Sequence, residues 1–258
     1  NHLLFPPASS VHGTQIDLLM KVSMGLIIVV FFITSPMLFY FAFKYRGKKS
    51  NNAYFLSHNN KLEVVWTVIP TIVLTALIIF GLKTWDKAMN VEISESTKLI
   101  EVYAQQYNWT ARYSGLDNKL GKANYKLVKG QNTLGVDMLD INSADDKMAR
   151  EVHLVVNEPV LLKFRSQDVI HSAFLPHFRV QMNCVPGITT QFGFTPNKTT
   201  AQMKESEGED FEYVLLCNKI CGASHFNMQM KIIVETQEEY DIWIASQDNL
   251  EKKLLTQK

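Results

Sequence analysis

Two long apolar runs dominate the first third of the chain. Val22–Phe43 and Val64–Leu82 are 22 and 19 residues long, and neither contains a charged side chain. A helix of that length can cross a hydrocarbon core about 30 Å thick. A core helix of a soluble protein would show a polar face, which both runs lack. The pattern therefore predicts a hairpin of two transmembrane helices, with spans at about 22–43 and 64–82.

Charged residues beside the runs predict the orientation of the hairpin. The loop between the runs is basic, whereas the outer flanks mix both signs; its cations are Lys44, Arg46, Lys48, Lys49 and Lys61. Because basic loops favour the cytoplasmic side, we expect a cytoplasmic connecting loop and both termini on the periplasmic or outer side. The chain does not begin with Met, so we also expect a removed signal peptide or a trimmed start upstream.

From about Val91 onward, short apolar stretches alternate with Gly, Asn, Asp and Pro. This pattern is typical of an all-β sandwich or barrel. The predicted strands are Lys98–Tyr103, Tyr107–Tyr113, Glu151–Val156, Val160–Arg165, Thr190–Thr195, Phe211–Leu216 and Met228–Glu235. Asp117–Met148 is predicted to be a long connection with, as an alternative, a short hairpin inside it. The capping box Thr236–Glu239 predicts a short C-terminal helix. We therefore expect an N-terminal segment with the helix hairpin at 1–90 and a β domain at 91–258.

The chemistry of the β domain is concentrated in the stretch CNKICGASHFNM, residues 217–228. Its donor side chains are Cys217, Cys221, His225 and Met228. Thiolate, imidazole and thioether groups bind copper, zinc and iron–sulfur clusters. A disulfide between the two cysteines would close a very small ring and stabilise the fold little, so a metal site is the better interpretation.

A further donor is expected from another part of the fold. His171 follows an apolar strand in SQDVIHSAFLPHF and is therefore predicted to lie at a strand end. His177, six residues later, is the alternative donor. The third cysteine, Cys184, is expected to be a buried small side chain.

Three motifs together resemble subunit II of cytochrome c oxidase. They are HNNKLEVVWTVIPTIVL (58–74), DVIHSAFLPHFRVQMNCVPG (168–187) and CNKICGASHFNM (217–228), in that order after a first apolar run. The resemblance covers nearly the whole chain. It implies that the helix hairpin anchors a cupredoxin-like barrel carrying a binuclear copper centre, CuA. In that family CuA accepts electrons from a c-type cytochrome and passes them to haem in subunit I, where oxygen is reduced to water and protons are pumped.

The resemblance also implies a ligand set for the two copper ions. His171 and His225 would be the imidazole ligands, Cys217 and Cys221 the bridging thiolates, and Met228 a weak thioether ligand. A backbone carbonyl ligand falls on Lys219. A site with a single cysteine would instead be a mononuclear blue-copper centre, so the second cysteine indicates two copper ions.

Three positions concern other functions of that family: magnesium binding, electron entry and proton uptake. Lys219 stands where the family usually has a glutamate that helps to hold magnesium, so we do not expect a standard magnesium site. Tyr107 replaces a tryptophan that receives electrons, and Trp109 follows two residues later, so both are candidates for that role. Glu63 matches a glutamate at the mouth of a proton channel in subunit I, although an interfacial anchor is the alternative.

The expected function is that of an oxidoreductase subunit. Neither apolar run contains a histidine, so haem, the second copper site CuB and oxygen chemistry are expected only on subunit I. Expected partners are subunit I, other oxidase subunits, a c-type cytochrome and membrane lipid, and the net charge of +1 gives no reason to expect nucleic acid. The alternative is a membrane-tethered copper carrier or binding module without redox duty. Six donors around two copper ions make a closed site, which favours electron transfer over metal release.

Overall fold

The two apolar runs form two long helices. Residues 5–47, 54–90, 94, 97–115, 117–250 and 252 are described by the computed structural model of the chain. Helix α1 spans Gly13–Lys44 and helix α2 spans Asn60–Met89. Both are long and apolar enough to cross a membrane, with a mean hydropathy of 2.4 and 2.3 over their most apolar stretches. Each helix extends beyond the span predicted for it.

The chain divides into two units. One is Gln15–Lys87, and the other joins Asn1–Thr14 to Ala88–Lys258. The N-terminal segment belongs to the β unit because its backbone bonds to it: Ser9 N–H donates to His177 O at 2.7 Å, and Val11 N–H donates to Thr195 O at 3.1 Å. The predicted domain boundary lies between residues 90 and 91. Because residues 91–93 lie outside the described part of the chain, this boundary stays a prediction.

The β unit is a sandwich of two five-stranded sheets. Its strands are β1 Lys98–Gln105, β2 Asn108–Tyr113, β3 Lys147–Ala149, β4 Val152–Val155, β5 Val160–Ser166, β6 His171–Leu175, β7 Val180–Cys184, β8 Thr190–Phe194, β9 Tyr213–Cys217 and β10 Gln229–Glu235. Two further helices are α3 Thr200–Glu207 and α4 Gln237–Ser246. Burial alternates residue by residue along β5 and most of β10, as expected for strands that turn one face to a core.

Strand order explains how distant parts of the sequence meet. One sheet runs β3-β2-β1-β5-β8 and the other runs β4-β10-β9-β6-β7. The β1–β5 and β4–β10 pairs are parallel, and the other pairs are antiparallel. Strands β6 and β9 are therefore neighbours although 37 residues separate their ends at Leu175 and Tyr213 along the chain. Fully buried side chains from both sheets fill the space between them, including Val102, Leu162, Phe164, Leu215 and Ile232.

A buried ion cluster fixes the long connection that follows β2. The guanidinium of Arg112 donates to Glu101 Oε2 at 2.9 Å and to Asp146 Oδ2 at 2.8 Å. It also donates to the carbonyl of Gly121 at 2.9 Å. All three charged side chains are at least 95% buried. Because Gly121 and Asp146 lie in the connection, Arg112 ties both ends of it to the sheet.

The sequence prediction was right in class and incomplete in detail. The all-β domain and the C-terminal helix α4 are confirmed, and the seven predicted strands agree with observed strands to within two residues at each end. The prediction was wrong in leaving out β3, β6, β7 and α3. Strands β6 and β7 are joined by a one-turn 3₁₀ helix, Pro176–Phe178. The sequence of the two short strands and this turn therefore shows no regular strand pattern.

Candidate metal centre

Four donor side chains meet in the loop between β9 and β10. Cys217 ends β9, and the Sγ atoms of Cys217 and Cys221 are 3.8 Å apart. Cys221 Sγ also lies 3.6 Å from His225 Nδ1 and 3.8 Å from Met228 Sδ. The 3₁₀ turn His225–Asn227 reverses the chain before β10, so the imidazole and the thioether both face the same thiol.

His171 brings the fifth donor from the neighbouring strand. Its Nδ1 lies 3.8 Å from Cys217 Sγ, and the side chain is fully buried. His171 lies at a strand end, as expected, but it begins β6 and does not follow a strand. It reaches the thiols because of the register: β6 pairs with β9 through Ala173 and Cys217, which places the first residue of β6 beside the thiols.

His177, the alternative donor, lies beyond the other end of β6. It is part of the 3₁₀ turn Pro176–Phe178, where its ring packs edge-on against Phe211 and Tyr213. Its Nδ1 lies 3.1 Å from Pro7 O in the N-terminal segment. The structure therefore brings His171, and not His177, together with the two cysteines.

The two thiols are free, and their surroundings suit a cation. A disulfide would need the sulfur atoms about 2.05 Å apart, whereas they are 3.8 Å apart and neither cysteine is bonded. The thiol of Cys217 donates to the carbonyl of Lys219 at 3.2 Å, so that carbonyl also faces the cluster. Burial and the neighbouring Cys217 together raise the pKa of Cys221 to about 11. A bound metal cation would offset both effects, because thiols bind metals as thiolates.

Asp168 orients the ring of His171. Its Oδ1 lies 2.8 Å from His171 Nε2, and its Oδ2 accepts the backbone N–H of Gln106 at 2.7 Å. Burial alone would raise the pKa of Asp168, but hydrogen bonds from Gln106, His171 and Val169 outweigh it and lower that pKa. A carboxylate on Nε2 keeps the proton there and leaves Nδ1 free to bind a metal. Sequence analysis missed Asp168, although its position three residues before His171 is the signal that could have found it.

Both candidate aromatic residues contact the metal-binding loop. Trp109 is buried in β2, donates Nε1–H to Met228 O at 3.4 Å, and lies edge-on to the His171 ring with centroids 6.1 Å apart. Tyr107 is half-buried in the β1–β2 turn, and its hydroxyl accepts the backbone N–H of Ala223 at 3.0 Å. Their role in receiving electrons stays a prediction.

Two other residues singled out in the sequence have structural partners. Glu63 lies in the first turn of α2, where its Oε1 accepts the N–H of Asn59 at 3.1 Å. That contact gives the backbone N–H before the first residue of α2 a hydrogen-bond acceptor. A role of Glu63 in proton uptake stays a prediction. Cys184 is fully buried opposite His171 in the β6–β7 pair, and burial raises the pKa of its thiol to about 12.

Comparison with known proteins decides the family. The family model described as cytochrome C oxidase subunit II, transmembrane domain, matches residues 1–84. The model described as cytochrome C oxidase subunit II, periplasmic domain, matches residues 99–237, which is more than half of the chain. The chain belongs to the cytochrome c oxidase subunit II family.

Relatives of this subunit II are found in several bacteria. The alternative cytochrome c oxidase subunit 2 of Bradyrhizobium diazoefficiens is 30% identical over 221 residues, covering 84% of this chain and 75% of the relative. The cytochrome c oxidase subunit 2 of Cereibacter sphaeroides is 26% identical over 252 residues, covering 93% and 78%. Among solved structures, the periplasmic domain of subunit II of cytochrome oxidase from Bradyrhizobium japonicum is 24% identical with a TM-score of 0.41, covering 63% of this chain and 99% of that domain.

Family membership confirms the broad expectations drawn from the sequence. The protein is a subunit of a haem–copper cytochrome c oxidase, an oxidoreductase complex. It is a membrane protein with two spans, α1 and α2, and its β sandwich is the cupredoxin-like periplasmic domain.

Proposed function

We propose that this subunit II accepts electrons from a c-type cytochrome at a binuclear copper centre, CuA, and passes them to haem in subunit I. Oxygen reduction, coupled to proton pumping, then takes place on subunit I, which holds haem and CuB. The observation that supports this best is the pair of free thiols, 3.8 Å apart, with an imidazole Nδ1 beside each one. Cys217 and Cys221 would hold two copper ions close enough for one unpaired electron to spread over both, so the ligands would need to move little on reduction.

The six proposed donors, five side chains and one carbonyl, form two bridging cysteines with one pair of donors beside each cysteine. Cys217 and Cys221 are the proposed bridging ligands, because each sulfur has the other thiol and one imidazole within 3.8 Å. On the Cys217 side lie His171 and the carbonyl of Lys219. On the Cys221 side lie His225 and Met228. A mononuclear blue-copper site uses one thiolate, so the second thiol is the reason to propose two ions.

Rigid neighbours support rapid electron transfer. His171 and Cys217 lie on adjacent paired strands, which hold them in a fixed register. Asp168 fixes the ring orientation of His171, and Trp109 bonds the carbonyl of Met228. Ligands held this way need little rearrangement when the charge of the centre changes.

The surface beside the donors supports docking to other proteins. Ile220 and Phe226 are 86% and 89% exposed, although each is next to a proposed ligand in the sequence. Exposed apolar side chains beside a functional site are typical of protein interfaces. We propose that subunit I and the c-type cytochrome contact this end of the domain, with Tyr107 and Trp109 as candidate electron acceptors.

Three further expectations belong to the same proposal. We expect no standard magnesium site at this loop, since Lys219 offers an ammonium group where a carboxylate would be needed. Glu63 is the candidate for the opening of the proton channel. Lys44 ends α1, Arg46 lies in the described part of the loop between α1 and α2, and Lys61 lies in the first turn of α2. These cations favour a cytoplasmic loop. Lys48 and Lys49 lie outside the described residues.

Copper content and electron spin resonance of the full-length chain test the proposal. The purified chain in detergent should bind two copper ions, and its spectrum should show one unpaired electron shared equally by both nuclei. A product with one copper ion, or with two spectroscopically silent Cu(I) ions that no mild oxidant converts to a paramagnetic pair, would contradict the proposal and favour a copper carrier.

A further inference from the structure

The β1–β2 turn supplies no metal donor, yet it contacts most of the segments that do. We call residues 105–108 the turn. Its backbone is tied to the His171 segment, since Gln106 N–H donates to Asp168 and Asp168 in turn bonds the His171 ring. Its side chains reach the loop between Cys221 and Ala223. The turn therefore joins the segment that positions His171 in β6 to the loop between β9 and β10.

Gln106 holds the backbone of one proposed bridging ligand. Its side-chain Nε2 donates to the carbonyl of Cys221 at 2.5 Å. Gln106 is otherwise exposed, so packing in the core does not explain why a glutamine lies here. The bond fixes the peptide plane that follows Cys221, the residue whose sulfur lies closest to Cys217, His225 and Met228.

Tyr107 holds the next peptide of the same loop. Its hydroxyl accepts the N–H of Ala223, two residues after Cys221 and two before His225. The resemblance implies tryptophan at this position, and an indole has no oxygen that could accept this hydrogen. The contact is therefore a property of the tyrosine in this chain, separate from any role in receiving electrons.

Close packing at Gly222 makes the contact specific. A Cβ atom added to Gly222 would collide with the Tyr107 hydroxyl and with Gln106 Nε2. Gly222 has a φ of +139°, a conformation that side chains disfavour. The loop thus needs glycine at this point so that both side chains of the turn can lie directly on its backbone.

We propose that Gln106 and Tyr107 are positioning residues that hold the 221–223 segment in its metal-binding conformation before copper arrives. The inference rests on the proposed function for its purpose, since preorganisation matters only if the loop binds a metal. Mutating residues that hydrogen-bond to metal ligands commonly lowers metal affinity about 10- to 100-fold.

Hydrogen exchange of the copper-free full-length chain tests the positioning role directly. Tyr107→Phe removes one hydroxyl, and Gln106→Met removes one amide at nearly constant length. Exchange in peptides covering 218–227 should become about fivefold faster in each variant, as expected for one lost hydrogen bond. Two variants far from the loop are matched controls: Tyr213→Phe, whose hydroxyl bonds Lys198 O, and Gln181→Met at an exposed position of β7. Both should leave exchange in 218–227 unchanged.

Copper loss separates positioning from electron transfer. Loaded Tyr107→Phe and Gln106→Met should lose copper to a chelator about 10-fold faster than the parent chain. Tyr107→Trp should exchange like Tyr107→Phe, even if it accepts electrons well. Unchanged exchange and unchanged copper loss in both variants would overturn the inference. Failure of the parent chain to bind two copper ions would count against the proposed function alone, because the exchange result does not depend on copper.

Discussion

At the scale of single residues, the two cysteines of the loop differ in what surrounds them. Cys221 is buried and contacts three other donor atoms, whereas Cys217 is half-buried and faces His171 and the Lys219 carbonyl. The spacing of the cysteines along the chain predicted a metal site. It gave no information on this division of contacts, which depends on the 3₁₀ turn and on β6.

Removing one thiol should convert the site to a different class. Cys221→Ser replaces the sulfur that contacts Cys217, His225 and Met228. We expect at most one copper ion per chain and a spectrum from a single nucleus, because one thiolate remains. Metal analysis and electron spin resonance provide the measurement. Cys184→Ala is the control and should keep two ions, and two equivalent coppers in Cys221→Ser would rule out Cys221 as a bridge.

Asp168 gives the site a pH dependence that can be measured without copper. Its pKa is lowered in the folded chain, so the stability it adds is present above its unfolded pKa of about 3.9 and is lost as pH falls through the lower folded pKa. Asp168→Asn should therefore lower the melting temperature of the copper-free chain by about 2–4 °C at pH 7. That difference should shrink below about pH 4. Melting curves at several pH values check this.

The control for that measurement is an exposed carboxyl in another loop. Asp210→Asn changes the same charge outside the metal-binding loops, and its melting temperature should follow that of the parent chain at each pH. A difference for Asp168→Asn that grows as the pH falls would contradict the sign expected for a lowered pKa.

At the scale of elements, one buried cation bonds both ends of the long connection after β2. Arg112 bonds Glu101 on β1, and it bonds Gly121 and Asp146 in the connection. The sequence prediction treated Asp117–Met148 as an irregular excursion, because its polar composition hides a partner that lies on another element. The connection is held both by charge pairing with Arg112 and by its buried side chains Leu134 and Val136, and the local pattern reveals neither contact.

Removing that cation should be strongly destabilising. Arg112→Met removes the cation that Glu101 and Asp146 share. Among the described residues, it leaves Glu101 only Arg165 at 3.3 Å and Asp146 only the N–H of Gly121. Breaking a buried ion pair costs about 3–5 kcal/mol. Denaturant unfolding of the full-length chain, followed by tryptophan fluorescence, measures the loss. Arg150→Met removes an exposed arginine of the same domain and should cost less than about 0.5 kcal/mol. Equal stabilities for the two variants would show that the cluster is not what holds the connection.

At the scale of the whole molecule, the basic loop predicts which side of the membrane each part occupies. In sealed cells, with Cys184, Cys217 and Cys221 replaced by serine, a membrane-impermeant thiol reagent should label Glu205→Cys in α3 of the periplasmic domain. Ser57→Cys in the loop between α1 and α2 should react only after the membrane is opened. Both positions are exposed, so a missing signal reflects sidedness. Labelling of Ser57→Cys in sealed cells would reverse the expected orientation.

The sequence by itself determined the elements that depend on local patterns. Uncharged runs such as Val22–Phe43 specify membrane helices because lipid requires continuous apolar surface, and alternating positions specify strands such as β5. The motif 217–228 likewise carries its four donors within twelve residues. These features need no knowledge of distant contacts.

Only the tertiary structure decided which distant residues join that motif. His171 reaches Cys217 because β6 pairs with β9, a choice made by long-range strand pairing rather than by any nearby residue. The same pairing carries His177 away from the thiols, and the packing of the other sheet brings the β1–β2 turn next to Asp168 and the site. Contacts across such sequence separations depend on how two sheets pack as a whole, and so they cannot be read from local periodicity.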